Sequence, residues 1–190
     1  INEYTLSTAW DVSTAEFVDS FDTESEDDDT RDVKFNQNGR KMFVLGKEND
    51  RVCEYKLSTG FDVSTATFVD CASVSEESKP DELEFNPDGT KMFVMGESGD
   101  DVNEYTLSTG FDVSTATFVD SFSITDQDDE PGSLAFSSDG SKLFLLGREN
   151  NKVYEYTLTC YYGVINCMDP TSDKDDVASV EAQTESAKQL

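Results

Sequence analysis

The chain repeats itself, and this repetition constrains its fold more than any other feature. A tyrosine preceded by a glutamate recurs with steps of 51, 50 and 51 residues, at Tyr4, Tyr55, Tyr105 and Tyr156. A period of about 40–50 residues is typical of propeller blades, in which each unit stacks on the next to bury its apolar face. The sequence therefore predicts an array of equivalent β units rather than one or two ordinary domains.

Each unit contains four short segments separated by turn residues, here called strands A to D. Strand A, for example residues 32–36, alternates apolar and polar residues, which indicates a strand with two different faces. Strand B, for example residues 41–46, contains a continuous apolar run after its first lysine, which predicts burial on both faces. The turn between A and B contains Asn38-Gly39 or an equivalent Asp-Gly, which predicts a tight hairpin.

Strand C carries the recurring tyrosine, and a nearly invariant Ser-Thr-Gly-Phe-Asp-Val-Ser-Thr-Ala connection leads from it to strand D. We therefore expect an all-β fold, a partial β-propeller of four-stranded antiparallel blades with about 3.5 repeats and a short C-terminal helix or tail. The expected parts are a half blade (1–22), two blades (32–72 and 82–123), an incomplete blade (133–158), and a disulfide loop with an acidic helical linker (159–190). Upstream blades or another chain are expected to close the ring.

Residues 85–94 read Phe-Asn-Pro-Asp-Gly-Thr-Lys-Met-Phe-Val. This segment resembles the Phe-x-Pro-Asp-Gly-x-Lys-Leu-Tyr-Val hairpin of the WD40-like and YVTN-like propeller superfamily. The resemblance covers residues 1–158, although the first and third copies lack the proline. It implies a propeller architecture and leaves the function open, because such folds host unrelated activities.

The segment 169–177, Asp-Pro-Thr-Ser-Asp-Lys-Asp-Asp-Val, resembles the linker that precedes the translocator barrel in bacterial autotransporter-like surface proteins. This resemblance implies a passenger exported to the cell surface. Read from its residues, the segment offers Ser172 as a helix N-cap with Asp175 at the capping-box position. A short helix and a frayed acidic tail both remain open.

The chain contains four cysteines. A hairpin that pairs Leu57 with Thr67 places Cys53 opposite Cys71, and the other copies have Asn and Ser at these two positions. This joint occurrence predicts a cross-strand disulfide. Cys160 and Cys167, which flank a short loop after the last unit, predict a second. Two disulfides predict an oxidising compartment, extracellular or at a bacterial cell surface, whereas free buried cysteines are the alternative.

The charge of the chain is strongly negative, with 41 acidic and 14 basic residues, no histidine and a net charge of −27. This charge disfavours nucleic acid as a partner. No apolar stretch approaches the length that spans a bilayer, so we expect no membrane insertion of this segment. The first residues do not resemble a signal peptide, and the opening Ile1 suggests that an upstream part is missing.

The acidic residues concentrate in the D-to-A and B-to-C connections, which emerge on the same face of a propeller. Clustered carboxylates can supply the oxygen ligands of Ca²⁺. We therefore expect a calcium site, or a protein or carbohydrate ligand, at this acidic loop face, while a solvated charge run is the alternative. The candidate metal ligands are Asp27, Asp28, Asp29, Asp126, Asp128 and Asp129.

Other acidic residues recur in every copy, as Glu54 and Glu104 do on strand C. The register that pairs the cysteines also sets Glu54 opposite Asp70, so a lysine of strand B, such as Lys41, is expected to neutralise them. A residue that is needed once per active site has no reason to recur in each blade. These groups therefore indicate a structural role.

No motif of nucleophilic catalysis is present, because the chain has no histidine, no Gly-x-Ser-x-Gly elbow and no phosphate-binding glycine loop. We therefore expect that the protein is not an enzyme but a non-catalytic exported module for binding or display. The alternatives are a structural component of a virion or appendage and a carboxylate-based glycoside hydrolase.

Overall fold

A computed structural model describes residues 1–158, which form four antiparallel sheets. The strands are β1 (Asn2–Leu6), β2 (Ala15–Ser20), β3 (Thr30–Phe35), β4 (Lys41–Gly46), β5 (Arg51–Leu57), β6 (Ala66–Ser73), β7 (Pro80–Phe85), β8 (Lys91–Gly96), β9 (Asp101–Leu107), β10 (Ala116–Ser123), β11 (Pro131–Phe136), β12 (Lys142–Gly147) and β13 (Lys152–Thr157). Short 3-10 turns precede β2, β6 and β10, at Val12–Thr14, Val63–Thr65 and Val113–Thr115.

The sheets are the blades that the repeat predicts. Strands β3 to β6 form one complete blade and β7 to β10 the next, each in the order A, B, C, D. Strands β11 to β13 supply A, B and C of a further blade, and β1 and β2 supply C and D of a half blade. The expectation of a partial all-β propeller is confirmed.

The B strands are the centres of the blades. After the lysine at its first position, every residue of β4 and of β8 is buried, as their unbroken apolar sequences predict. The recurring tyrosine lies opposite the B strand, with Tyr55 facing Met42 and Tyr105 facing Met92. Burial of these side chains is the main favourable term in the stability of each blade.

Each A strand starts with a bulge. The register shifts between Thr30 and Asp32, between Pro80 and Glu82, and between Pro131 and Ser133. Strand A therefore begins two residues before the segment that the alternation predicts. A bulge changes the direction in which neighbouring side chains point, and here it does so on the A strand of each of the three blades that have one.

Aromatic rings join one blade to the next. The ring of Phe43 lies 4.6 Å from that of Phe85 in the following blade, and Phe111 stacks on Phe43 at 6.0 Å. At the next junction, Phe93 lies 4.5 Å from Phe136. These contacts give the hydrophobic core its continuity across blades.

The A-to-B turn receives the aromatic residue of the C-to-D connection. Gly39 and Gly89 adopt positive φ, and the rings of Phe61 and Phe111 occupy the space where a Cβ atom would lie. Glycine is therefore needed for two reasons, its backbone angle and the close contact. The Asn-Gly and Asp-Gly signals reflect this packing as well as the turn.

The structure contains the predicted disulfide between Cys53 and Cys71. The two cysteines are direct partners in the β5–β6 register, which also sets Glu54 opposite Asp70 as expected. The predicted Cys160–Cys167 bond and the acidic linker at 169–177 lie outside the described residues. Within residues 1–158, no helix has the length and apolar character needed to cross a membrane.

Candidate functional site

Two of the predicted metal ligands, Asp27 and Asp128, are buried in the D-to-A loops and accept hydrogen bonds from backbone N–H groups. Asp27 accepts from Asn49 at 2.9 Å, and Asp128 accepts from Asn150 at 3.0 Å, in each case in the following B-to-C turn. Glu77 occupies the same place in the middle blade and accepts from Ser98 at 3.1 Å. These carboxylates tie two loops of a blade together.

The other four candidates are not brought together. Asp28, Asp126 and Asp129 are exposed, and Asp29 forms an ion pair with Arg31 at 2.9 Å. Among residues 1–158, no group of three or more His, Cys, Asp or Glu side chains is placed to hold a metal ion. Calcium binding by the acidic loop face stays a prediction.

The recurring glutamates of strand C are structural, as expected. Lys41 pairs with Glu54 at 2.6 Å, and the equivalent pairs Lys91–Glu104 and Lys142–Glu155 are also formed. Glu54 also accepts a hydrogen bond from the backbone of Val113 in the next blade, at 3.2 Å. This carboxylate therefore stabilises both its own blade and the junction with its neighbour.

A different charged group lies on the innermost strands, between the two complete blades. The ammonium of Lys34 on β3 is 3.2 Å from a carboxylate oxygen of Asp32, 3.3 Å from Glu84 and 3.8 Å from Glu82. Asp32 also accepts a hydrogen bond from the backbone of Leu83 on β7 at 3.1 Å. We call this group the inner-strand cluster: Asp32, Lys34, Glu82 and Glu84.

The cluster keeps its lysine charged. Partial burial lowers the pKa of Lys34, but the charges of Asp32, Glu84 and Glu82 and a hydrogen bond to Asp32 together outweigh burial, and the net pKa lies above its ordinary value. For Glu82, burial and the charge of Asp32 raise the pKa, and Lys34 opposes them only in part. The site thus combines one ammonium group with three nearby carboxylates.

An open cavity of about 140 Å³ lies beside this cluster, toward the A-to-B turns. Lys34 and Glu84 line it together with the rings of Phe35, Phe85 and Phe111. Aromatic rings beside charged and hydrogen-bonding groups suit a small ligand that has both apolar and polar parts. Residues of the A-to-B turns contribute to its lining, whereas the predicted metal ligands lie in the D-to-A loops.

A larger cavity of about 510 Å³ lies near the outer strands. It surrounds Lys41 and Glu54, which form the ion pair that recurs in each blade. Since this pair has an evident structural role, we place the candidate site at the smaller cavity.

A second group of charges extends from the inner strands to the loop face. Lys47 lies 3.2 Å from Asp81 and 3.0 Å from Glu97 of the following blade, and Arg31 also approaches Asp81. For Lys47, too, hydrogen bonds to Glu97 and Asp81 outweigh the opposing effect of burial and raise the pKa. These pairs join the two complete blades near the start of strand A and the end of strand B, on the side of the D-to-A loops.

Sequence reasoning missed the inner-strand cluster because it followed residues that recur. The positions of the cluster are those at which aligned blades differ: Asp32 corresponds to Glu82 and Ser133, whereas Lys34 corresponds to Glu84 and Ala135. The aromatic residue one position further is invariant. Variation at alternate positions of strand A, against this constant background, is the signal that could have located the site.

Comparison with known proteins supports the fold. No family model matches the chain, and no curated protein is similar to it in sequence. A protein from Lactobacillus plantarum matches 77% of this chain and 44% of its own, with a TM-score of 0.56 and 17% identity. The periplasmic gluconolactonase of Pseudomonas aeruginosa matches 67% of this chain and 35% of its own, with a TM-score of 0.51 and 16% identity.

A luciferin-regenerating enzyme matches 79% of this chain and 50% of its own, with a TM-score of 0.52 and 16% identity. The chain therefore spans a third to a half of the length of these structures. At such identities the similarity shows the propeller fold alone.

Two of these structures are named as enzymes. This finding contradicts the expectation of a non-catalytic binding or display module, and with it the expectation that the chain is not an enzyme. The expectation gave most weight to groups that recur in every blade and to histidine, serine and cysteine motifs. A propeller can instead place reacting carboxylates and a lysine at positions that differ between its blades.

Proposed function

We propose that this chain supplies the catalytic residues of a hydrolytic propeller that opens the ring of an uncharged, sugar-derived lactone. The observation that carries this proposal is the position of Lys34, whose ammonium is held by three carboxylates beside a cavity lined by aromatic rings. The gluconolactonase among the similar structures makes a lactone the first substrate class to test.

Lactone hydrolysis needs a base for water and a positive group for the oxygen that becomes negative. Glu84 lines the cavity and would take a proton from water as the water oxygen attacks the carbonyl carbon. Lys34 lines the same cavity and would stabilise the oxyanion of the tetrahedral intermediate. The ring C–O bond then breaks, and the proton held by Glu84 passes to the leaving oxygen, which gives a hydroxy acid.

Asp32 and Glu82 act through Lys34 as positioning residues. Both face its ammonium, and their charges favour its protonated form. Together with Glu84 they give the site more negative than positive charge, and the chain as a whole carries a charge of −27. A phosphorylated substrate would be repelled, so the electrostatics favour an uncharged lactone.

Activity on glucono-1,5-lactone, corrected for spontaneous opening, tests the proposal. We expect the wild-type chain to accelerate hydrolysis and Glu84→Gln to lower kcat about 10²-fold or more, the usual contribution of a general base. Glu16→Gln, an exposed change of equal charge on β2, is the matched control and should keep the wild-type rate.

Two results would overturn the proposal. One is an absence of rate enhancement on glucono-1,5-lactone and its uncharged relatives. The other is an equal rate for Glu84→Gln and Glu16→Gln. A higher kcat/KM for the 6-phosphorylated lactone than for the uncharged one would refute the electrostatic argument specifically.

We also propose that the protein functions in an oxidising compartment, outside the cell or at a bacterial surface. The cross-strand Cys53–Cys71 bond supports this location, because such bonds persist where thiols are not kept reduced. The finer resemblance to YVTN-like propellers agrees with the turn sequences of the A–B hairpins and remains part of the proposal.

A further inference from the structure

The half blade exposes an apolar face that its equivalents bury. Tyr4 is 57% exposed, whereas Tyr55 at the same position of the next blade is 1% exposed. Val12 is 82% exposed, whereas Val63 is 3% exposed. The half blade therefore has the side chains of a complete blade without the contacts that those side chains make elsewhere in the molecule.

The complete blades show what covers these side chains: the preceding blade, from which Glu3 contacts Val63 and Phe21 contacts Tyr55, and the A–B hairpin of the same blade. In each of them, strand C pairs over most of its length with strand B of an A–B hairpin, which sets Met42 opposite Tyr55 and Met92 opposite Tyr105. Strand β1 pairs only with β2 among the strands that the structure describes. Its other edge and the face beside it correspond to the place of a B strand.

The charges at this face also fit an A–B hairpin. Glu54, Glu104 and Glu155 each pair with the lysine that opens strand B of their own blade. Glu3 is their equivalent in the half blade; it accepts a hydrogen bond from the backbone of Val63 at 2.9 Å. Within residues 1–158, no lysine forms an ion pair with Glu3.

Trp10 identifies the turn that belongs there. It aligns with Phe61 and Phe111, whose rings pack on the positive-φ glycines of the A-to-B turns, Gly39 and Gly89. All three aromatic residues have φ near +60°, a costly conformation for a bulky residue. In the complete blades this conformation brings the ring into contact with a glycine. Trp10, in contrast, is 97% exposed.

The tyrosine hydroxyl adds a further requirement. Tyr55 donates to Glu26, Tyr105 to Glu76, and Tyr156 to Gln127, in every case across 29 residues to the D-to-A loop that precedes the A–B hairpin. The equivalent group of Tyr4 needs an acceptor from a loop of the same kind.

We propose that the face formed by β1, β2 and Trp10, the half-blade face, binds an A–B hairpin of this repeat's own type from polypeptide outside residues 1–190. The hairpin carries glycine at its turn beneath Trp10 and lysine at the start of strand B opposite Glu3. The loop that precedes it carries a glutamate or glutamine for Tyr4.

A second copy of the chain does not fit this role. Each B strand in the described residues already pairs with its own C strand: β4 with β5, β8 with β9, and β12 with β13. A copy could donate a hairpin to β1 only if one of these pairs separated, which would expose a buried strand. The occupant is therefore a hairpin whose B strand is otherwise unpaired.

Fusion of such a hairpin tests the proposal, with Trp10, the single tryptophan, as the reporter. A copy of residues 74–101 joined directly before Ile1 supplies the loop acceptor, the copied Glu76, and places strand B in the register that β8 has with β9. We expect the fluorescence maximum of Trp10 to move to shorter wavelength and the melting temperature to rise. The matched control carries valine at the copied position of Gly89 and should lose the fluorescence shift.

A second variant keeps the proposal falsifiable if the valine control does not fold. Methionine at the copied position of Lys91 leaves Glu3 without its partner and should reduce the rise in melting temperature while the fluorescence shift persists. An unchanged Trp10 spectrum in a folded fusion would overturn the proposal. A concentration-dependent shift in the chain without the fusion would also overturn it, because it would assign the face to a second copy.

Discussion

One buried loop position differs between blades in its electrostatics. Asp27, Glu77 and Asp128 occupy equivalent places and accept hydrogen bonds from the B-to-C turn. Burial raises the pKa of Glu77 to about 7, despite backbone hydrogen bonds that act in the other direction. For Asp128, burial is outweighed by its backbone hydrogen bonds, and the pKa is lowered.

The stability of the chain should depend on pH through Glu77. Its pKa in the folded chain exceeds the ordinary value of 4.5, so the folded state holds more protons between the two values and stability falls as pH rises through this range. We expect the free energy of unfolding of the wild type to fall, relative to Glu77→Gln, by about 1–3 kcal/mol between about pH 5 and about pH 8.

Urea titrations at several pH values measure this effect. Asp126→Asn is the control, since it removes one charge from an exposed site of the same kind of loop. If the wild type and Glu77→Gln show the same pH dependence, Glu77 ionises as an ordinary carboxyl and the assignment is wrong.

At the scale of the strand, most of the structure was predictable. The sequence repeat predicted where the hairpins lie, and the alternation of apolar and polar residues predicted the two faces of strand A. The joint occurrence of Cys53 and Cys71 predicted the register of β5 and β6. The bulge at the start of each A strand was not predictable, because neither proline nor glycine marks it in all three copies. That bulge lies directly beside Asp32 and Glu82 of the candidate site.

The disulfide should act as a local staple on one blade. The next blade has Asn103 and Ser121 at the same register and forms the same hairpin without a disulfide. We therefore expect Cys53→Asn with Cys71→Ser to keep the fold and to lose about 2–4 kcal/mol of unfolding free energy, in line with a short closed loop. Chemical reduction of the wild type should give a similar loss, and a double variant as stable as the oxidised wild type would contradict the staple.

At the scale of the whole molecule, the net charge of −27 opposes a compact fold unless cations screen it. The calcium hypothesis makes a prediction that screening alone does not. Millimolar Ca²⁺ should raise the melting temperature more than NaCl of equal ionic strength, because a bound ion stabilises the folded state. Replacement of Asp126 and Asp129 by asparagine should remove the difference, and equal effects of the two salts would leave only general screening.

The repetition of blades across the whole molecule also explains why the fold was easier to predict than the site. Residues that build blades must recur, so Lys91 and Glu104 could be recognised as a structural pair from the sequence. Residues that act once per molecule do not recur, and the meeting of Lys34 with Glu84 depends on how two blades pack. That packing is a tertiary property without a local sequence signal.

The central claim is that reactivity belongs to inner-strand residues that differ between blades, whereas the recurring ion pairs hold the fold. The most direct test compares kcat for glucono-1,5-lactone and the melting temperature in Lys34→Met and Lys91→Met. We predict that both variants melt at a lower temperature, because each leaves partly buried carboxylates without their cation, and that Lys34→Met alone loses about 10²-fold or more in the kcat of its folded fraction. Lys91→Met should keep the kcat of its folded fraction. Equal kcat values for the two variants, or a larger loss in Lys91→Met, would contradict the account.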